Sequence, residues 1–245
     1  QEKAITNNTI PLILSGAAGS GKTILLLEKL KTLPGKVLYV TNSIFLADKS
    51  KALYQSSDYE NTGQEVDFLS FSDFLNGIKK PQGNESNYED FARWLRNYHT
   101  NRVEARKLYE EFNGVILGSA LTEPYLSRQS YLALGERQSI FNHDDRINVY
   151  SLFLRYAKFL KDRNKYNINL ICHDYLDLVE KVYDYVVIDE VQDLTNIQVK
   201  LILKSLINPN HYLMCGDAHQ VIHQNFFSWT NLHGLFYQPT NNQGH

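Results

Sequence analysis

Residues 16 to 23 read Gly-Ala-Ala-Gly-Ser-Gly-Lys-Thr, a match to G-x-x-x-x-G-K-[ST]. The apolar run "IPLILS" before it has the character of a short buried strand, and "SGKTILLLEKLKTL" after it that of a helix. Small residues let successive backbone N–H groups turn toward an anion where a strand end meets a helix start, so this octapeptide commits its part of the chain to a strand, loop and helix unit. In such a loop Gly16, Ala17, Ala18, Gly19, Ser20 and Gly21 cradle a phosphate chain. Lys22 reaches the β and γ phosphates, and the Thr23 hydroxyl is a ligand for Mg²⁺.

The unit repeats. "KVLYVT" reads as a second strand and "NSIFLADKSKALYQSS" as a second helix with Ser43 as its cap. From Val182 the alternation returns: strand "VYDYVVID", helix "TNIQVKLILKSLI" with Thr195 as N-cap, a break at Pro209, and strand "HYLMCGD". Apolar strands alternating with helices predict an α/β fold, a mostly parallel sheet covered on both faces. Between the two ends, residues 77–165 are mainly helical in pattern and form an insertion, so the expected organisation is 1–76 and 166–238 as two parts of one domain, 77–165 inserted, and 239–245 a polar tail.

A parallel sheet gathers the carboxyl ends of its strands on one edge. The strand ending "VVIDE" therefore presents Asp189 and Glu190 toward the loop after Ser15, with Asp189 holding the shell of Mg²⁺ and Glu190 orienting and deprotonating an attacking water. Gly216-Asp217-Ala218-His219-Gln220 adds a third polar cluster there, in which Gln220 senses the γ phosphate or its water. The expected cofactors are ATP and Mg²⁺.

Composition narrows the partners. A net charge of −2 gives no global attraction to polyanions, so any nucleic acid must be held by a local patch. Two cysteines, Cys172 and Cys215, are too few for a disulfide framework, and Cys215, after the apolar Tyr212-Leu213-Met214, reads as a reduced buried thiol, so a reducing compartment, cytoplasmic or nuclear, is expected. No apolar run is long enough for a bilayer, which argues against a membrane partner.

Taken in order, "GAAGSGKT", "VVIDEVQDLT" and "CGDAHQVIH" resemble motifs I, II and III of the UvrD/Rep-like superfamily 1 helicases. "VLYVTNSIFLADKS" is similar to their motif Ia, and Gln1, followed by "EKAI", to their adenine-reading glutamine. "YLSRQSYLALGERQ" and "DEVQDLT" resemble a subgroup that includes very large eukaryotic ankyrin or TPR proteins. The resemblance implies the first, RecA-like, P-loop NTPase domain of an ATP hydrolase coupled to single-stranded DNA or RNA. The strand is expected to touch Thr41, Asn42, Ser70, Phe71, His223, Phe227 and Trp229. Basic residues of the insertion, among them Arg93, Arg106, Lys107, Lys158 and Lys165, are candidates to grip phosphates, although a solvated helix face is the blander reading and Glu104, Glu110 and Glu111 dilute it.

Departures from the family pattern set a second expectation. No arginine follows Arg163, Phe227-Ser228-Trp229 stands where the subgroup tends to have Phe-Arg-Phe, and the sequence stops before the motifs of the second RecA-like domain. A fragment or natural truncation with weak hydrolysis is expected. The alternative is a nucleotide-gated interaction or scaffold module that no longer translocates. A P-loop kinase is disfavoured by "GDAHQ" and "TNSIFLADKS".

Overall fold

The computed structural model describes residues 10–17, 19–56, 61–98 and 104–217. In chain order, β1 (Leu12–Ser15) leads through the glycine loop to α1 (Lys22–Lys31), followed by β2 (Gly35–Thr41), α2 (Ile44–Gln55), β3 (Gln64–Ser70) and α3 (Phe71–Ile78). A short strand β4 (Asn84–Glu85) then precedes α4 (Tyr88–Leu95), α5 (Ala105–Glu110), a π-helical turn (Glu111–Leu117), α6 (Arg128–Leu132), α7 (His143–Asp162), β5 (Lys165–Tyr166) and α8 (Ile168–Tyr175). The last elements are β6 (Tyr185–Ile188), a 3₁₀ turn (Val191–Asp193), α9 (Asn196–Lys204) and β7 (Tyr212–Gly216).

The main sheet has the order β1-β7-β6-β2-β3, and every pairing in it is parallel. After β1 the chain passes over two strand positions to reach β2, and β6 and β7 later fill the gap. These central strands are apolar on both faces, as their position demands: Val186, Val187, Ile188, Leu213, Met214 and Cys215 are all fully buried. Each such side chain contributes roughly 1.5–3 kcal/mol by leaving water.

Strand alternation divides the sheet into two faces. Val37, Tyr39, Val187, Leu213 and Cys215 join Leu26, Leu27 and Leu30 of α1 in one cluster. Leu38, Val40, Val186, Ile188 and Met214 join residues of α3, α8 and α9 in the other. A third cluster lies among the helices from α4 to α7, built on Phe91, Trp94, Phe112, Tyr131, Phe153 and Tyr156. The chain is thus α/β, with a RecA-like parallel sheet flanked by helices.

A buried polar net joins the π-helical turn to the segment that follows the acidic pair. Asn169 Oδ1 accepts from Thr195 Oγ1 at 2.8 Å and from Gln198 Nε2 at 3.1 Å, while Asn169 Nδ2 donates to the Asn113 carbonyl at 2.9 Å. Thr195 and Gln198 form a capping box on α9. Gly118 lets this approach happen, because a Cβ there would lie 2.5 Å from the Asn113 carbonyl oxygen and 2.9 Å from Thr195 Cβ. Among the described residues no helix is long and apolar enough to cross a membrane.

Candidate nucleotide site

The loop between β1 and α1 is held at the sheet edge by its own backbone. Gly16 N–H donates to the Gly216 carbonyl at 3.3 Å, continuing the β1–β7 register, and Ser20 N–H donates to the Ala17 carbonyl at 3.2 Å. Gly19 and Gly21 have φ of +74° and +78°, a backbone region that favours glycine. Gly21 caps α1 without any side-chain hydrogen bond, and no acid lies in the first turn. The positive end of that ten-residue helix therefore faces the loop with no carboxylate from its own first turn. Lys22 Nζ donates to the carbonyls of Gly16 and Ala17 at 2.8 and 2.9 Å, placing its charge inside the loop.

Thr23 and Asp189 meet across 166 residues of chain: Thr23 Oγ1 donates to Asp189 Oδ2 at 2.9 Å. Asp189 is 3% exposed and is held from several sides. Tyr39 OH donates to Oδ2 at 2.6 Å, and Cys215 Sγ and Glu190 N–H donate to Oδ1 at 2.7 and 3.0 Å. Register explains the convergence. Val40 pairs with Ile188 and Ile188 with Met214, so Asp189, one residue on, shares its face with Tyr39 and Cys215. Burial, and then the neighbouring carboxylate, pushes both Tyr39 and Cys215 well above their ordinary ranges, so both remain protonated donors.

Glu190 adopts a left-handed backbone, φ +52° and ψ +50°, unusual for a residue with a side chain. Gln192 Nε2 donates to its Oε2 at 2.6 Å, and Gln192 Oε1 accepts from Asp217 N–H at 3.2 Å, tying the acidic pair to the end of β7. Burial and the charges of Glu190 and Asp189 raise the Asp193 pKa.

A cavity of about 300 Å³ is lined by Gly19, Gly21, Lys22, Thr23, Ile24, Lys49, Ser50, Leu53, Asp189 and Glu190. It combines two ammonium groups, a helix N-terminus, two hydroxyls, two carboxylates and apolar walls. Among the described residues no cluster of three or more His, Cys, Asp or Glu side chains can hold a metal alone. One hydroxyl next to one carboxylate is a hard-oxygen pair of the kind that takes Mg²⁺ together with waters and phosphate oxygens, so the residues present fit that ion.

The nucleic-acid candidates fare differently. Asn42 is exposed. Thr41 is fully buried, its hydroxyl without a hydrogen-bond partner. Ser70 is fully buried as the cap of α3, accepting from Asp73 N–H at 3.1 Å. Phe71, 1% exposed, packs into the core beside Phe74, so its ring is no platform for a base. The capped start of α3 turns Ser70 and Phe71 inward. Gln1, Ala18, Gln220, His223, Phe227 and Trp229 lie outside the described residues. The basic helix residues are paired locally: Arg93 with Asp90, Arg106 with Glu110, Lys107 with Glu104, and Lys158 with Asp162. This is the solvated-face arrangement.

Sequence reading missed Tyr39, Ser50 and Lys49, and took Cys215 for a bystander. Strand parity carried the signal for Tyr39 and Cys215. It also passed over Ile44 and Phe45, 58% and 73% exposed immediately after Ser43.

The profile of the UvrD/REP helicase N-terminal domain matches residues 1–229. Over 146 residues the chain is 25% identical to TPR and ankyrin repeat-containing protein 1 of Homo sapiens. That match covers 55% of this chain and 5% of the human protein, so the chain spans a small part of its relative's length.

Proposed function

The chain belongs to the UvrD/REP helicase N-terminal domain family, and from that premise we propose that it binds ATP with Mg²⁺ in the cleft between α1, α2 and the end of β6, and couples this to a single strand of DNA or RNA. The observation that carries the reading is the meeting of Thr23 with Asp189 at 2.9 Å beside Lys22. Nothing in a purely structural account requires a lysine, a hydroxyl and a buried carboxylate to converge on one cavity at a helix start.

Each side chain has a task. Lys22 exchanges its two loop carbonyls for phosphate oxygens. Thr23 and Asp189 are the groups that would hold Mg²⁺, which when bound neutralises phosphate charge. Glu190, steadied by Gln192, orients the attacking water and accepts its proton. Ile24 and Leu53 offer apolar walls to the rest of the nucleotide.

Turnover depends on groups across the cleft. No arginine follows Arg163 in this sequence, and an arginine finger supplied in trans is worth about 10³–10⁵ in rate. The second RecA-like domain of the same protein is therefore the expected partner. Phe227-Ser228-Trp229, with no arginine between its aromatics, favours the second reading, a nucleotide-gated interaction module that binds without translocating.

The test is titration of a fluorescent ATP analogue with Mg²⁺ into the wild type and Lys22→Ala. Loss of charge-assisted hydrogen bonds should weaken binding on the order of 100-fold; equal affinity, or no binding by the wild type, sinks the proposal. ATPase rates with and without single-stranded DNA and RNA then separate the two readings. Stimulation that Glu190→Gln abolishes supports the motor, and binding without stimulated turnover supports the module.

A further inference from the structure

The Asp189 carboxylate has about four lone-pair positions, and four donors use them: Thr23 Oγ1 and Tyr39 OH on Oδ2, Cys215 Sγ and Glu190 N–H on Oδ1. These donors are not equivalent. Thr23 lines the cavity, so a ligand can displace its hydroxyl. Tyr39 and Cys215 are fully buried and do not line the cavity, so no ligand in the cleft competes with them directly. Tyr39 also reaches a second element, its OH lying 2.9 Å from Ser50 Oγ on α2. Ser50 is itself 3% exposed and lies in the cavity wall with Lys49 and Leu53.

We propose that Tyr39 is a positioning residue for the metal-bound nucleotide: its hydroxyl, tethered to Ser50, fixes the Asp189 carboxylate so that Oδ2 faces Thr23 and the cleft, and so sets the affinity for Mg²⁺. This rests on the reading of the cleft as a Mg²⁺-nucleotide site. Two independent contacts carry it. The Tyr39–Asp189 bond, at 2.6 Å, is the shortest of the four that hold the carboxylate. The Ser50 contact ties it to α2, which also walls the cleft, so a shift of α2 changes the direction in which Asp189 points.

The experiment uses the whole chain, with a fluorescent ATP analogue as the probe and Mg²⁺ titrated at fixed nucleotide. Tyr39→Phe keeps the ring and its tilted contact with Phe68 at a centroid distance of 5.0 Å, and removes only the hydroxyl. Loss of an outer-shell partner typically weakens metal affinity by about 10–100-fold. The expected result is therefore a rise of about 10-fold or more in the Mg²⁺ half-point, with nucleotide affinity in EDTA unchanged. Ser50→Ala, which leaves the Tyr39 bond to Asp189 in place, should raise the half-point by a smaller factor, about 3-fold. A merely structural role predicts something else: equal weakening with and without Mg²⁺. That outcome, or a Tyr39→Phe half-point equal to that of the wild type, overturns the proposal while leaving the nucleotide site standing. A wild type whose binding ignores Mg²⁺ overturns both. If Tyr39→Phe fails to fold, Ser50→Ala decides, and a half-point equal to that of the wild type counts against the tether.

Discussion

Asp189 at the sheet edge and Glu111 in the helical region are both buried carboxylates, 3% and 0% exposed, and both are wrapped in hydrogen-bond donors. Glu111 accepts from Tyr131 OH at 2.7 Å, from Ile140 N–H at 2.9 Å and from the Ser139 hydroxyl. Nearby, the buried guanidinium of Arg146 donates to the carbonyls of Leu134, Gly135 and Phe141. Between them these two side chains pin residues 134–141, the connection from α6 to α7. Burial alone does not distinguish the acids. What distinguishes them is the kind of donor: those of Glu111 belong to α6 and to the loop it fixes, whereas the Thr23 hydroxyl that donates to Asp189 lines a cavity and is exchangeable. A buried acid reads as functional when part of its hydrogen-bond set can be handed to a ligand.

The sharpest way to break this contrast is to remove each carboxylate. Glu111→Ala strands three donors at about 1–3 kcal/mol each, so the melting temperature should fall on the order of 10 °C. Mg²⁺-nucleotide binding by the molecules that remain folded should stay as in the wild type. Asp189→Ala should lose less stability, since Tyr39 keeps its Ser50 contact, Thr23 faces the cavity and only the weakly donating Cys215 thiol and the Glu190 N–H are stranded: a loss of a few degrees, by the same scale, and no strengthening of nucleotide binding by Mg²⁺. Thermal melts with and without Mg²⁺ and ATP measure both. Equal losses of stability in the two variants would erase the distinction.

How far the contrast is legible in the sequence depends on what sets each position. The glycine loop, α1, the Ser43 cap and the Thr195 capping box follow from residue types within a few positions of one another, because local backbone chemistry decides them. Asp189 at a strand end was readable too. Its neighbours Tyr39 and Cys215 follow from parity only once β6 is known to lie between β2 and β7, and strand order is a long-range property that no local pattern encodes. Glu111 was misread for a related reason. Its charge groups it with Glu104 and Glu110 on a solvated face, but the segment contains α4 and α5 and then widens into the π-helical turn at Glu111. Glu111 follows the buried Leu108 by three residues and so shares its face, and all seven residues of the π-helical turn that it opens are buried. Ser70 and Phe71 are site candidates by resemblance alone, and their burial at the start of α3 is set by tertiary packing that no local pattern encodes.

A subtler test follows from charge. Burial raises the Glu111 pKa despite its three donors and the nearby Arg146. The folded state thus holds a proton on this group more tightly than the unfolded chain does, and the Glu111 contribution to stability falls as pH rises from the unfolded value, near 4.5, through the folded one. Glu111→Gln, which cannot ionise, should remove that slope. The difference between wild-type and Glu111→Gln melting temperatures should therefore change in the wild type's disfavour as pH climbs from 4 toward neutrality, by a few degrees at most. A difference independent of pH would mean that Glu111 is not destabilised by its ionisation.

The smallest expected effect concerns an acid of the same region whose pKa moves the other way. Asp90 on α4 receives Lys165 Nζ at 2.7 Å, and the side chains are 16% and 22% exposed, closer to water than Glu111. The Lys165 hydrogen bond lowers the Asp90 pKa, so the contribution of this pair is present above the unfolded value of 3.8 and is lost as pH falls through the folded one. Ion pairs near the surface are worth about 0.2–1 kcal/mol. Lys165→Met should accordingly cost a degree or two at neutral pH by the usual scaling for a chain of this size. The cost should shrink in high salt and vanish in acid. Set against the Glu111→Gln profile, it places two carboxylates of one helical region on opposite slopes, one destabilised by ionising and the other stabilised by it. Parallel slopes for the two would show that burial, rather than the presence of a cationic hydrogen-bond donor, governs both.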